Sequence, residues 1–198
     1  MGLTSPKTVV GLTGGIACGK STALQEFAKL GWGVVSTDSL ASEILNTDES
    51  VKRQIEHRWG KGVMNRCGSV DKTAVGRIVF STEQERSWIE SLLHPIIRSK
   101  WLSFIQSCPS QKCMVELPLL FENKLQKNFS CTITTYAPKS VILKRLTYRG
   151  FSPKESNARL HSQLPLDEKV QLSDYILWGG GNSPFLSLQV EHLDHVLS

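Results

Sequence analysis

Residues Gly14-Gly15-Ile16-Ala17-Cys18-Gly19-Lys20-Ser21-Thr22 follow the spacing G-x-x-x-x-G-K-[ST]. Such a loop works only between a buried strand and a helix, so it constrains the fold around it. The run Thr8 to Thr13 is short, apolar and β-branched, as a buried parallel strand should be. The run Ser21 to Leu30 carries Leu24, Phe27 and Ala28 at helical spacing and stops at Gly31. Strand, loop and helix therefore occur in the required order, which argues against a chance glycine-rich turn.

The chemistry follows. Glycines let the backbone wrap close around phosphates, and N–H groups at a helix start point at an anion. Lys20 would reach the β- and γ-phosphates as a point charge, and the Ser21 hydroxyl would be a magnesium ligand. Gly14, Gly15, Ala17, Cys18, Gly19, Lys20, Ser21 and Thr22 are thus the expected cradle for ATP and Mg2+. The motif does not say which acceptor receives the phosphate.

A chain of 198 residues can bury one good core with room for inserted subdomains. With 40% apolar and 21% charged residues it reads as a soluble globular protein. No stretch approaches the roughly eighteen apolar residues that span a bilayer, so no membrane partner is expected. The segment Met1 to Lys7 lacks a signal-peptide apolar region, and Pro6 occupies the place where N-myristoylation wants a hydroxyl residue. Five cysteines without a C-x-x-C pair fit reduced thiols in a cytoplasm better than disulfides or a zinc site. Cys18 reads as a small residue whose backbone binds, although a thiol at a helix N-terminus can have a lowered pKa and be oxidation-sensitive. The net charge of +5 is scattered, without an arginine-rich run or an aromatic RNA-binding motif. A small anionic substrate explains it as well as nucleic acid does, and no nucleic-acid partner is expected. Nothing in the sequence speaks to oligomeric state.

Further along, strands are expected at Gly33–Thr37, ending at Asp38, at Lys112–Leu117, at Phe129–Thr135 and at Tyr175–Trp178. The segment 50–110 reads as helical. Ser81-Thr82-Glu83-Gln84 resembles a capping box, and His94-Pro95 should break or kink the helix it opens. Pro138 to Arg149 reads as a helix capped by Gly150. Ser152-Pro153-Lys154-Glu155 is a second capping box, starting a helix to about Gln163. A final amphipathic helix is expected from Leu186 to Leu197. Strands alternating with helices imply an α/β protein with a parallel five-stranded sheet flanked by helices. Its core would comprise residues 8–38, 112–137 and 165–198. A helical substrate-binding insert would occupy 39–111 and a mobile lid 138–164.

Other residues could do chemistry. Asp38, at the carboxyl end of a strand, could accept a proton from an attacking hydroxyl or could cap the following helix. Arg145 and Arg149, four apart on one helix, could surround a phosphoryl group together with Arg159, or form a solvated basic face. Glu116 could orient magnesium-bound water or be a strand-end solvent group. His94 reads as a packed histidine more readily than as an acid or base. The other histidines show no shared metal spacing.

Taken together, several stretches resemble the dephospho-CoA kinase family. They are G-L-T-G-G-I-A-C-G-K-S-T (11–22), Asp38 with Leu40-Ala41, V-F-S (79–81), L-L-H-P-I-I-R (92–98), L-P-L-L-F-E (117–122) and R-L-x-x-Q-L-P (159–165). They occur in the family's order and cover most of the chain. The resemblance implies a P-loop kinase fold and transfer of the ATP γ-phosphate to the ribose 3′-hydroxyl of dephospho-CoA, the last step of CoA biosynthesis. It implies that Asp38 is the catalytic carboxylate, that Lys20 and Ser21 serve phosphate and magnesium, and that His94 and Arg98 lie near the acceptor. Arg149 falls at the lid arginine.

The chain departs from the family in places. Ser36-Thr37-Asp38 replaces D-A-D, and Ala17 and Cys18 replace Gly and Ser. An alanine at a left-handed position costs on the order of 1 kcal/mol. Ser42 stands where the family has an arginine, and Trp178-Gly179 where an asparagine lies near the adenine. The alternatives are another P-loop small-molecule kinase, or a catalytically impaired nucleotide-binding protein. A GTP-dependent switch would want an N-K-x-D motif, which is absent.

Overall fold

Five short stretches, three of them rich in β-branched residues, form one sheet. In the computed structural model, which describes residues 7–65, 67–79 and 81–197, they are β1 (Thr8–Gly14), β2 (Gly33–Ser36), β3 (Lys112–Glu116), β4 (Cys131–Tyr136) and β5 (Tyr175–Trp178). Residues 1–6, considered above for export and acylation, and Phe80 of the V-F-S stretch lie outside the described residues. All strand pairs are parallel, in the order β2-β3-β1-β4-β5. β1 is central, and Val10, Leu12 and Thr13 are wholly buried. That is why β1 reads as an apolar run rather than an alternation.

The chain divides into two units, Met1–Ser36 with Ser107–Ser198, and Thr37–Gln106. In the first, α1 (Lys20–Lys29) and α9 (Ser183–Val196) cover one face of the sheet. Phe27, Leu186 and Val190 pack there against Leu12, Met114 and Leu177. A second cluster joins Ala17 and Cys18 of the loop to Ala137 and to Ile142 and Leu146 of α6 (Lys139–Tyr148), with Leu160 and Leu166 at its edge. Leu160 belongs to α7 (Pro153–His161) and Leu166 opens α8 (Leu166–Leu172). The Ser152–Glu155 capping box is present in full, with Pro153 at the first helical position. α8 had no periodic signal in the sequence, because seven residues make less than two turns.

The second unit is helical: α2 (Thr37–Thr47), α3 (Glu49–Trp59), α4 (Lys72–Val79) and α5 (Glu83–Ser107). Its core is Ile44, Val51, Ile55, Val63, Val75, Ile89 and Leu93 among others. Among the described residues one antiparallel bridge, Met64 to Val70, interrupts the helices.

Several boundaries differ from expectation, and three have a clear physical cause. β2 stops at Ser36 and α2 begins at Thr37, so Asp38 lies in the first helical turn rather than at the cap position. β2 is an edge strand whose pairing ends at Ser36 with Glu116. Beyond it, Leu117 donates to Leu12 O and Pro118 has no N–H, so Thr37 has no ladder to join. α5 runs unbroken through Pro95. A helical proline costs about 3 kcal/mol, and burying Ile89, Leu93 and Trp101 on both sides of it offsets more than that. The cap of α5 is Thr82 rather than Ser81. Thr82 Oγ1 accepts from Glu85 N at 3.3 Å, while Ser81 Oγ donates to Ile78 O at 2.7 Å. Glu85 does not close a box, because its carboxylate takes both Arg58 (2.8 and 3.0 Å) and Trp59 Nε1 (2.7 Å).

Candidate active site

The loop from Gly14 to Gly19 bends by left-handed backbone at Gly14 (φ 139°), Ala17 (φ 59°) and Gly19 (φ 99°). A side chain at Gly14 would collide with Thr135 of the neighbouring strand. Ala17 carries the strain expected of an alanine where the family has glycine. Gly19 caps α1 without a side-chain hydrogen bond, which leaves the first N–H groups of α1 to an incoming anion. Lys20 folds back over the loop, and its Nζ donates to Gly14 O (3.1 Å) and Gly15 O (3.0 Å). It is only 9% exposed, so a buried cation stands at the anion site.

Ser21 is exposed in the first turn of α1, and Glu116 is buried at the end of β3, in register with Leu12 of β1. Among the described residues no cluster of three or more His, Cys, Asp or Glu side chains could hold a metal by itself. A hydroxyl without a cage of carboxylates fits magnesium. That ion keeps several waters and binds mainly through substrate phosphates.

By sequence, Arg145 could face the phosphoryl group or solvent. It does neither. Its Nη1 donates to Ala17 O (2.9 Å) and its Nη2 to Gly179 O (2.8 Å), tying α6, the phosphate loop and the turn after β5 together. Arg159 lies over the Phe151 ring, 4.4 Å from its centroid. Arg149 is exposed at the C-terminal cap of α6. The three arginines thus differ in their surroundings.

Cys18 is fully buried, and burial pushes its thiol above the usual value, with the Lys20 charge opposing. The lowered pKa that a helix N-terminus can produce is overridden by desolvation, and with it the ground for an oxidation-sensitive loop. In the second unit, Asp38 is exposed in the first turn of α2. His94 is half-buried, and Arg98 is exposed one helical turn further along α5.

Two features escaped the sequence reading. Gly179, first of the Gly179-Gly180-Gly181 run, packs so tightly on Cys18 O that a β-carbon there would overlap the carbonyl. Consecutive glycines were the available signal. Gly179→Ala should lower the melting temperature by roughly 5–10 °C and weaken ATP binding, since overpacking costs about 1–3 kcal/mol in a chain of this size. Gly62→Ala, where a β-carbon meets open space, should do neither. Thermal melts and ATP titration check both. The second feature is the buried Lys169, held by Glu122 Oε1 at 2.8 Å and Pro118 O at 2.6 Å. Glu122 sits in the quoted 117–122 stretch, but no sequence pattern announces a lysine buried from an exposed-looking helix.

Comparison with known proteins shows the family of this chain. The family model for dephospho-CoA kinase matches residues 8–184. The chain belongs to the dephospho-CoA kinase family. It is 34% identical over 176 residues to a dephospho-CoA kinase of Geobacillus kaustophilus, covering 87% of this chain and 88% of that one. Among solved structures, TT1252 from Thermus thermophilus superposes with a TM-score of 0.81 at 26% identity, covering 97% and 98% of the two chains. Dephospho-CoA kinase from Campylobacter jejuni gives a TM-score of 0.66 at 27% identity, covering 98% and 99%. Family membership and the five-stranded parallel sheet make this chain a kinase of the P-loop fold. No helix among the described residues is long and apolar enough to cross a membrane.

Proposed function

We propose that this kinase transfers the γ-phosphoryl group of ATP to the ribose 3′-hydroxyl of dephospho-CoA, giving CoA and ADP. The observation that carries the reading is the family match over residues 8–184, which spans both the phosphate loop and the helical unit bearing His94 and Arg98. The 3′-oxygen forms the new bond to phosphorus. The bond to the β–γ bridging oxygen breaks, and ADP leaves. Asp38 accepts or orients the hydroxyl proton. Lys20 leaves the Gly14 and Gly15 carbonyls for the β- and γ-phosphates; Ser21 would hold Mg2+, and Glu116 would orient water around it. The ion supplies charge neutralisation on the phosphates. His94 and Arg98 bind the acceptor, and Arg149 answers charge developing in the transition state. The five unpaired cysteines suit a reducing cytoplasm.

Turnover of the purified protein with ATP and Mg2+ tests this reading. Dephospho-CoA should be phosphorylated at least about a hundredfold more efficiently than adenosine, AMP or shikimate, because sites built around acceptor polar groups reject analogues lacking them. Preference for another alcohol would replace the acceptor. ATP binding without turnover would leave the impaired-scaffold alternative.

A further inference from the structure

Lys169 is wholly buried at the middle of α8, and among the described residues its ammonium meets only Glu122 Oε1 and Pro118 O. Burial pushes its pKa down. The Glu122 carboxylate opposes that shift, and the positive charge of Lys20 adds to it. A buried charge whose partner is withdrawn is costly to keep, so Glu122 is held in place by Lys169. The same oxygen, Glu122 Oε1, also accepts from Leu164 N–H at 2.9 Å. Glu122 Oε2 is buried without a hydrogen-bond partner. Glu122 is thus oriented so that one oxygen serves two donors while the other serves none.

Leu164 is where the chain leaves α7 and turns into α8. Its amide is the last donor before Pro165, which has none. α8 is itself fastened to the sheet. Lys169 O accepts from Thr134 Oγ1 (3.3 Å) and Ser173 Oγ (2.7 Å). Leu166 lies 3.6 Å from where a β-carbon on Gly15 would stand, directly under the phosphate loop. The other end of the 138–164 segment is fixed by Ala137, buried in the cluster that contains Ala17 and Cys18. Between these ends, most of α7 is exposed.

We propose that Glu122, locked by Lys169, is a positioning residue that pins Leu164 and so fixes where the lid segment returns to the sheet beneath the phosphate loop. The proposal rests on reading 138–164 as a lid over the ATP site. The pin sets where Arg149 and Arg159 can come to rest when the segment closes. It touches neither nucleotide nor acceptor. Losing it should lower kcat while sparing the Michaelis constant for ATP, which the loop itself determines.

Two double variants separate the pin from the ion pair. Glu122→Gln with Lys169→Met removes both charges and keeps an amide oxygen for Leu164. Glu122→Leu with Lys169→Met removes both charges and the acceptor. Neither leaves an unpaired buried charge, and replacing a buried pair by neutral groups is often tolerated. Pro118 O retains the Thr13 Oγ1 donor at 3.3 Å in both. The first reading is hydrogen exchange at the Leu164 amide, without substrates. It should be about tenfold faster in the Leu/Met protein than in the Gln/Met protein, as for one lost hydrogen bond. The second is steady-state phosphorylation of dephospho-CoA. The Gln/Met protein should stay within about threefold of the parent in kcat, while the Leu/Met protein falls at least about tenfold, with the ATP Michaelis constants of both near the parent's. Equal exchange at Leu164, or equal kcat in the two variants, overturns the proposal. If the parent itself does not phosphorylate dephospho-CoA, the acceptor assignment fails, and the exchange comparison alone decides the pin.

Discussion

Lys20→Ala should abolish phosphoryl transfer and leave the fold standing. Lys20 is a buried cation whose hydrogen bonds are to two backbone carbonyls, Gly14 O and Gly15 O, and among the described residues no carboxylate is paired with it. It also adds to the electrostatic penalty on Lys169. Removing such a charge relieves repulsion and desolvation while it costs two hydrogen bonds of about 1 kcal/mol each, so the two effects oppose and the melting temperature should move by only a few degrees. Transfer is different. A preorganised charge aimed at the β- and γ-phosphates is worth roughly 10²–10³ in rate or more. The expected result is a kcat lower by about a thousandfold on that scale, with an unaltered circular dichroism spectrum. A variant that turned over near the parental rate would mean that this loop is not the catalytic phosphate site. A variant that unfolded would mean that Lys20 holds the loop together rather than serving the nucleotide.

Asp38→Asn should slow transfer at least about a hundredfold, the lower range of general-base contributions, while both substrates still bind. Asp38 lies in the first turn of α2, so its charge also meets the helix dipole, an interaction of about 0.3–1 kcal/mol at an exposed site. Asparagine forfeits that and keeps the shape. The melting temperature should therefore fall by no more than a few degrees for a chain of this size. Single-turnover rates and melts on one preparation separate the roles. Normal turnover with a lower melting point would make Asp38 a helix-start residue. Slow turnover with an unchanged melting point would make it the proton acceptor or its orienting group.

The parts of this molecule that were legible in the sequence are those governed by local rules. The phosphate loop announced itself because strand, glycines, lysine and helix follow one another within a few turns of chain. β5 and the Ser152 capping box were equally local. Pro95 misled for the converse reason. Its penalty is local, but Ile89, Leu93 and Trp101 are buried by packing that the neighbouring sequence does not reveal. The end of β2 depended on Pro118, a residue eighty positions away in the chain that terminates the partner ladder.

By itself, then, the sequence determined the strand–loop–helix of the nucleotide site, the alternation that makes a parallel sheet, and the resemblance that names the family. Each rests on spacing along the chain, and spacing survives without coordinates. Only the tertiary structure decided what the charged side chains do. Arg145 and Arg149 are indistinguishable by sequence periodicity, yet one is spent on the Ala17 and Gly179 carbonyls while the other is exposed at a helix end. Lys169 looks like any surface lysine until α8 folds it under the sheet against Glu122. Cys18 sits at a helix start that would favour a thiolate, and burial raises its pKa instead. A side chain's charge is written in the sequence, but its partners and its exclusion from water arise only when distant segments pack together.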